Sequence, residues 1–239
     1  MVKITQVGTI YQLAFLPRMF PVNCYFVEEE EGLTLIDAAL PFSWKTIMKT
    51  AAELGKPITR ILLTHGHSDH IGALDAMKAS LPEVPVYISR RDAKLLAHNL
   101  ELEKGEPNLK IKGGVPRRLK TRADRLLEDG YRVGSLIALA TPGHTPGHFS
   151  FLDTRNDYLI AGDAFQTRGG ISVAGIIRPT FPFPALATWS KEQALASARK
   201  LRDLRPALLA VGHGRMIHDP LSAMEKAILE AENILKPAE

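Results

Sequence analysis

Residues 64–70 read Thr-His-Gly-His-Ser-Asp-His, three imidazoles and a carboxylate in one short polar turn directly after an apolar run. Donors at that density point to a metal ion. Imidazole suits zinc, iron and other borderline divalent ions, and an interleaved carboxylate ligates a neighbouring ion or steers a bound water. A single core histidine needs no such explanation, whereas three within six positions beside an aspartate have few others. Three further motifs follow: Thr141-Pro142-Gly143-His144-Thr145-Pro146-Gly147-His148, then Ala161-Gly162-Asp163, then Val211-Gly212-His213-Gly214. Ser68 lies inside the first motif, but the sequence positions no base beside it, so a serine nucleophile is not expected.

Taken in order, each at the end of an expected strand, the four motifs resemble the metallo-β-lactamase-fold hydrolase superfamily, in its glyoxalase II and lactonase-like branch. The resemblance runs nearly end to end. It implies an α/β fold, a four-layer αββα sandwich of two mixed β-sheets flanked by helices, with the site at one edge. It also implies one metal held by His65, His67 and His144, a second held by Asp69, His70 and His213, and Asp163 as the bridge between them. Such a pair of divalent ions, zinc by expectation with iron or manganese as alternatives, holds a bridging hydroxide that attacks an electrophilic carbonyl. Asp69 is the expected catalytic residue, passing a proton between water and leaving group while also serving as a ligand. The family pattern makes the first histidine of TPGHTPGH the ligand, so His148 is expected in a supporting or structural role. His98, in an expected helix, and His218, near a helix start, are expected to be ordinary surface or capping residues.

The bond cleaved is narrowed by departures from particular relatives. Secreted β-lactamases of this fold usually lack a histidine at the position of His70 and carry an export signal, so β-lactam hydrolysis is disfavoured. Glyoxalase II adds a helical C-terminal region that binds glutathione, whereas 26 residues follow His213. Many acyl-homoserine lactonases use a tyrosine after the bridging aspartate, and residues 165–187 contain none. That segment does hold Ile176, Ile177, Phe181 and Phe183, which either line an apolar acyl pocket or pack the loop onto the body. The expected reaction is hydrolysis of a small ester, thioester or lactone. The alternatives are a nuclease or phosphodiesterase, and a mono-iron oxygenase resembling persulfide dioxygenases. A metal-stabilised binding module is the least supported reading.

The chain has 239 residues, 45% of them hydrophobic, enough for a substantial core. A single domain over residues 1–239 is expected, because motifs near residues 65 and 213 must converge, with a basic excursion at about 101–125. Residues 110–125 carry seven basic side chains (Lys110, Lys112, Arg117, Arg118, Lys120, Arg122, Arg125) against Asp124 alone, although the whole chain's net charge is only +4. Such a window attracts an anionic substrate or polymer, or is simply a solvated face. A small-molecule substrate is expected ahead of nucleic acid, and the oligomeric state stays open, with a homodimer among the options. Cys24 is the only cysteine, which excludes an intramolecular disulfide and a cysteine-rich zinc ribbon. No secretory signal and no run of roughly 18 apolar residues is visible, so no membrane partner is expected and a cytoplasmic location is the default expectation.

The elements that must carry these motifs follow from periodicity. Runs at 22–27 and 33–37 joined by Glu28-Glu29-Glu30-Glu31-Gly32 predict a hairpin with a solvated acidic tip. A helix is expected over 43–54 and a strand over 58–63 leading into the histidine cluster. Further helices are expected over 71–81, from the cap Ser89 to about 100, over 190–204 and over 220–235. Strands are expected at 85–89, 132–140, 149–153, 158–161 and 207–211, and residues 165–187 read as loop.

Overall fold

The apolar runs that precede the first motif build a sheet whose parallel strands all end on the same side. In the computed structural model, which describes residues 2–236, one compact unit comprises Met1–Asn99 and Gly114–Leu127. Its strands are β1 (Val2–Val7), β2 (Ile10–Phe15), β3 (Val22–Glu28), β4 (Leu33–Ile36), β5 (Ile58–Leu62), β6 (Val86–Ser89) and β7 (Arg125–Leu127), hydrogen-bonded in that order. The pairs from β1 to β4 are antiparallel and those from β4 to β7 parallel. Parallel neighbours need crossovers. Helix α1 (Trp44–Glu53) joins β4 to β5, helices α2 (Ser68–Ile71) and α3 (Leu74–Ser80) join β5 to β6, and α4 (Arg90–Leu96) follows β6. Leu35, Ile61, Val86 and Ile88 of the strands pack with Ile47, Leu74 and Met77 of the helices, which explains why the strands read as nearly continuous apolar runs. Ile36 is in register with Leu62, and Leu62 with Tyr87, so the segments leaving β4, β5 and β6 emerge side by side.

The other unit comprises Leu100–Gly113 and Glu128–Glu239. Strands β8 (Arg132–Val133), β9 (Leu136–Ala140), β10 (Phe149–Asp153) and β11 (Tyr158–Ile160) are followed by the ribbon β12 (Phe165–Gln166) and β13 (Ser172–Val173). The one-turn helix α5 (Phe183–Leu186), α6 (Lys191–Asp203), β14 (Leu208–Ala210), β15 (Ile217–His218) and α7 (Leu221–Leu235) complete it. The sheet order is β15-β14-β11-β10-β9-β8, antiparallel except for β11 beside β14. Ser190 caps α6, its hydroxyl accepting from Gln193 N at 3.3 Å. Buried Ala194, Leu195, Ala198 and Leu201 recur on one face of α6, and Met224, Ala227, Ile228 and Ala231 on one face of α7. Together with Leu159, Leu209 and Val211 they form this unit's own core.

Several expected boundaries shift for local reasons. The helix expected over 71–81 is two helices, broken where Gly72 N donates to Ala39 O and Ala39 bridges Ile71. The helix beginning at Ser89 stops at Leu96, and His98 lies beyond it, exposed, in the left-handed region at φ 57°. The strand expected over 132–140 is a tight hairpin of β8 and β9, turning at Gly134-Ser135. Residues 165–187 contain the β12–β13 ribbon and α5, while residues 2–15 form a hairpin that periodicity did not announce. His218 is an exposed residue of β15.

Residues 101–124 carry no helix or strand, as expected of the excursion, but 114–124 are tied down. Asp75 accepts from Lys120 N, Thr121 N and Thr121 Oγ1, and Asp124 accepts from Val86 N and Lys78 Nζ. At both carboxyls burial pushes the pKa up. Hydrogen bonds from Thr121 and Lys120 at Asp75, and from Val86 and Lys78 at Asp124, outweigh it and hold each below the usual carboxylate range. Among the described residues, no helix is long and apolar enough to cross a membrane.

Candidate metal centre

The first motif is the segment that leaves β5. His65, His67 and His70 are buried, Asp69 is half-buried in the first turn of α2, and the His65 ring lies 4.8 Å from that of His67 and 4.2 Å from that of His70 between centroids. Asp37, buried at the end of β4, holds this arrangement. Its Oδ1 accepts from Thr64 N at 2.8 Å, and its Oδ2 accepts from Thr64 Oγ1 at 2.7 Å and from His70 Nδ1 at 2.8 Å. These contacts fix two ring tautomers. A carboxylate only accepts, so His70 carries its proton on Nδ1. Thr64 gives its single hydroxyl proton to Asp37, so at 2.9 Å it accepts from His65 Nδ1. Both rings therefore carry the lone pair on Nε2, the nitrogen available to a metal. Asp92 supports the turn from α4: its own N–H donates to the Ser89 hydroxyl, and its Oδ2 accepts from Gly66 N at 2.9 Å.

In the other unit the second, third and fourth motifs meet at one carboxylate oxygen. Asp163, in a 3-10 turn Gly162–Ala164 after β11, brings Oδ2 to 3.3 Å from His144 Nε2 and 3.1 Å from His213 Nε2. All three residues are buried. Thr188 donates to Pro184 O at 2.7 Å and so accepts from His144 Nδ1 at 3.1 Å, leaving the lone pair of that ring on Nε2. Two lone-pair atoms at 3.3 Å call for a positive charge between them, which a divalent ion supplies to both donors at once. The donors are nitrogen and oxygen only, a set that suits zinc, iron or manganese. His213 is tied to the ribbon by its carbonyl, which accepts from Thr167 N at 2.9 Å, and its ring packs on buried Phe181 at 5.4 Å.

Gly143 makes the TPGH turn possible. Its φ is +142°, and a Cβ there would lie 2.3 Å from Ala194 N and 2.4 Å from Ala194 Cα. The same turn accepts from α6 and the residues that enter it: Ser190 N donates to Gly143 O, Trp189 N to His144 O, and Ser197 Oγ of α6 to Pro142 O. Gly143→Ala is therefore expected to cost about 3 kcal/mol in metal-stripped protein, measured by denaturant unfolding, because the obstacle is helix backbone rather than a movable side chain. An unchanged midpoint would mean that α6 does not bear on the turn.

Of the seven residues expected as ligands, His65, His67, Asp69 and His70 share one turn of the first unit, and His144, Asp163 and His213 converge in the other. His98 and His218 stand apart from both groups, exposed. Of the apolar loop residues, Ile176 and Phe181 belong to the interior, whereas Ile177 and Phe183 are about half exposed, at 53% and 52%. Asp37, Asp92 and Thr188 escaped sequence reasoning. For Asp37 a signal exists, an aspartate closing the apolar run Leu33–Ile36 in a strand parallel to the one that delivers the histidines.

The family model for the metallo-beta-lactamase superfamily matches residues 17–213. The chain is 54% identical over 230 residues to the uncharacterized protein YobT of Bacillus subtilis, covering 96% of this chain and 99% of that one. It is 30% identical over 203 residues to the hydroxyacylglutathione hydrolase GloC of Haemophilus influenzae, covering 82% and 86%. The crystal structure of TTHA1623 in a di-iron-bound form superposes with a TM-score of 0.62 at 29% identity, covering 85% and 92%. The chain belongs to the metallo-β-lactamase superfamily and has its fold, two mixed sheets with helices. It is a metal-binding hydrolase of that superfamily.

Proposed function

We propose that the seven residues close on one dinuclear centre within a single domain and that the enzyme hydrolyses a small carbonyl ester, a thioester first among them. The observation that carries this reading is the paired imprint of Asp163 Oδ2 on His144 and His213, matched in the first unit by imidazoles whose Nδ1 atoms are already engaged. Thioester chemistry is favoured over lactone or ester by the likeness to GloC across most of both chains. In this reading His65, His67 and His144 would hold one ion, Asp69, His70 and His213 the other, and Asp163 would serve both.

Bound divalent ions would supply an acidified water and polarise the substrate carbonyl. The remaining work belongs to the chain. Asp69, half-buried, passes the proton released by the attacking water to the leaving sulfur or oxygen. Phe181 shields one side of the His213 ring from water. Half-exposed Phe183 and Ile177 offer apolar surface to an acyl chain. Zinc is the expected ion, and the di-iron form of TTHA1623 keeps iron as the alternative.

The test is elemental analysis of protein purified without added metal, paired with turnover of matched thioester, ester, lactone and phosphodiester substrates. About two ions per chain with thioester turnover are expected, as in two-metal sites generally. One iron per chain without hydrolysis would replace this reading by an oxygenase. The phosphodiester arm tests the second reading, which one contact favours: Ser68, inside the first motif, donates through N and Oγ to Gly114 O, three positions before the exposed pair Arg117-Arg118.

A further inference from the structure

His148 is fully buried, yet it sits four residues beyond the ligand histidine of the same turn. Its Nε2 accepts from the backbone N–H of Asp163 at 3.0 Å. A peptide N–H only donates, so the ring's lone pair is on Nε2 and its proton on Nδ1. Nδ1 then donates to Thr141 Oγ1 at 2.9 Å, Thr141 donates to Ser150 Oγ at 2.9 Å, and Ser150 donates to Ala161 O at 3.3 Å. One backbone amide thus sets the direction of every hydrogen bond in the chain, which starts at Asp163 and ends at Ala161. The two ends flank Gly162, the start of the 3-10 turn that aims the Asp163 carboxylate. Thr141 N also donates to His148 O at 2.9 Å, closing the 141–148 turn on itself.

We infer that His148 is a positioning residue: as the acceptor for Asp163 N–H, it sets the angle at which the Asp163 carboxylate meets His144 and His213. The inference rests on the reading of Asp163 as a ligand. It predicts an asymmetry between two amide replacements. In His148→Gln the side-chain oxygen reaches the place of Nε2 and still accepts from Asp163. In His148→Asn the amide reaches only the place of Nδ1, so the contact with Thr141 survives and that with Asp163 does not.

The experiment measures zinc affinity by chelator competition, together with two readouts on metal-stripped protein, melting temperature and Asp163 amide exchange. Expected for His148→Asn is a loss in affinity of about 10–100-fold, the usual scale for groups that orient metal ligands, with faster exchange at Asp163. His148→Gln is expected to stay near wild type in both. Thr141→Val, nearly isosteric, removes the acceptor of Nδ1–H together with the donor to Ser150 Oγ but leaves the contact with Asp163, and is expected to fall between them without a loss of folding. In wild type, a 15N–15N coupling across the hydrogen bond between Asp163 N and His148 Nε2 reports the contact directly.

Equal affinities and equal Asp163 exchange in the two amide variants would overturn the inference. So would a parallel fall of both variants in melting temperature and affinity, which would make His148 a packing residue. Wild-type protein that binds no zinc would refute the metal centre instead. The exchange and coupling measurements would still decide whether His148 holds Asp163.

Discussion

Asp163→Ala is expected to lose bound metal and turnover together, with activity falling on the order of a thousandfold or more, as when a preorganised electrostatic group is removed from a site. The expectation follows from one atom. Asp163 Oδ2 faces Nε2 of both His144 and His213, so removing it leaves two imidazoles without the negative charge that the proposed centre places beside them. His67→Ala is expected to behave similarly, since that ring is buried beside His65. His98→Ala is the matched control, an exposed histidine beyond the end of α4, and is expected to change neither metal content nor rate. Metal analysis and turnover on the same preparations check all three. Wild-type turnover by a fully metal-depleted Asp163→Ala protein would sink the mechanism.

The candidate ligands were legible because metal chemistry demands particular side chains at close spacing, and they are concentrated into His-Gly-His-Ser-Asp-His and three short echoes. Their supports were not, because support is a matter of tertiary neighbourhood. Asp37 lies 27 positions before Thr64, and nothing local distinguishes it from an ordinary strand end until β4 and β5 are known to run parallel and in register. Thr188 stands 44 positions from His144 and follows a helix of one turn that periodicity cannot detect. Ile176 and Ile177 make the same point for the loop. They are adjacent and chemically identical, yet one is buried and the other half exposed, a difference set by the ribbon that sequence reading took as plain loop. Long amphipathic helices such as α6 and α7 were located to within a residue or two because their apolar spacing is repeated over several turns.

Asp37→Ala is expected to destabilise the metal-stripped protein by about 3–5 kcal/mol, because each buried donor left without an acceptor costs about 1–3 kcal/mol. Three donors would lose their acceptor at once: Thr64 N, Thr64 Oγ1 and His70 Nδ1. Asp37→Asn is the more informative variant. Thr64 N–H cannot reverse its role, so it holds the amide oxygen at the position of Oδ1 and turns the NH2 group toward Thr64 Oγ1 and His70 Nδ1. His70 must then accept on Nδ1 and carry its proton on Nε2. Thr64, now accepting from the amide, donates its hydroxyl proton to His65 Nδ1 and shifts that ring in the same way. One oxygen-to-NH2 exchange thus removes the metal-facing lone pair from two imidazoles while their shapes and positions stay as they were. Metal affinity is accordingly expected to fall at least about 10–100-fold, the range for lost outer-shell partners, with a far smaller loss of folding stability than in the alanine variant. Denaturant unfolding of the stripped protein and chelator competition of the loaded one separate the two effects. An asparagine variant that binds zinc like wild type would mean that Asp37 acts on the fold alone and leaves the tautomers of His65 and His70 unset.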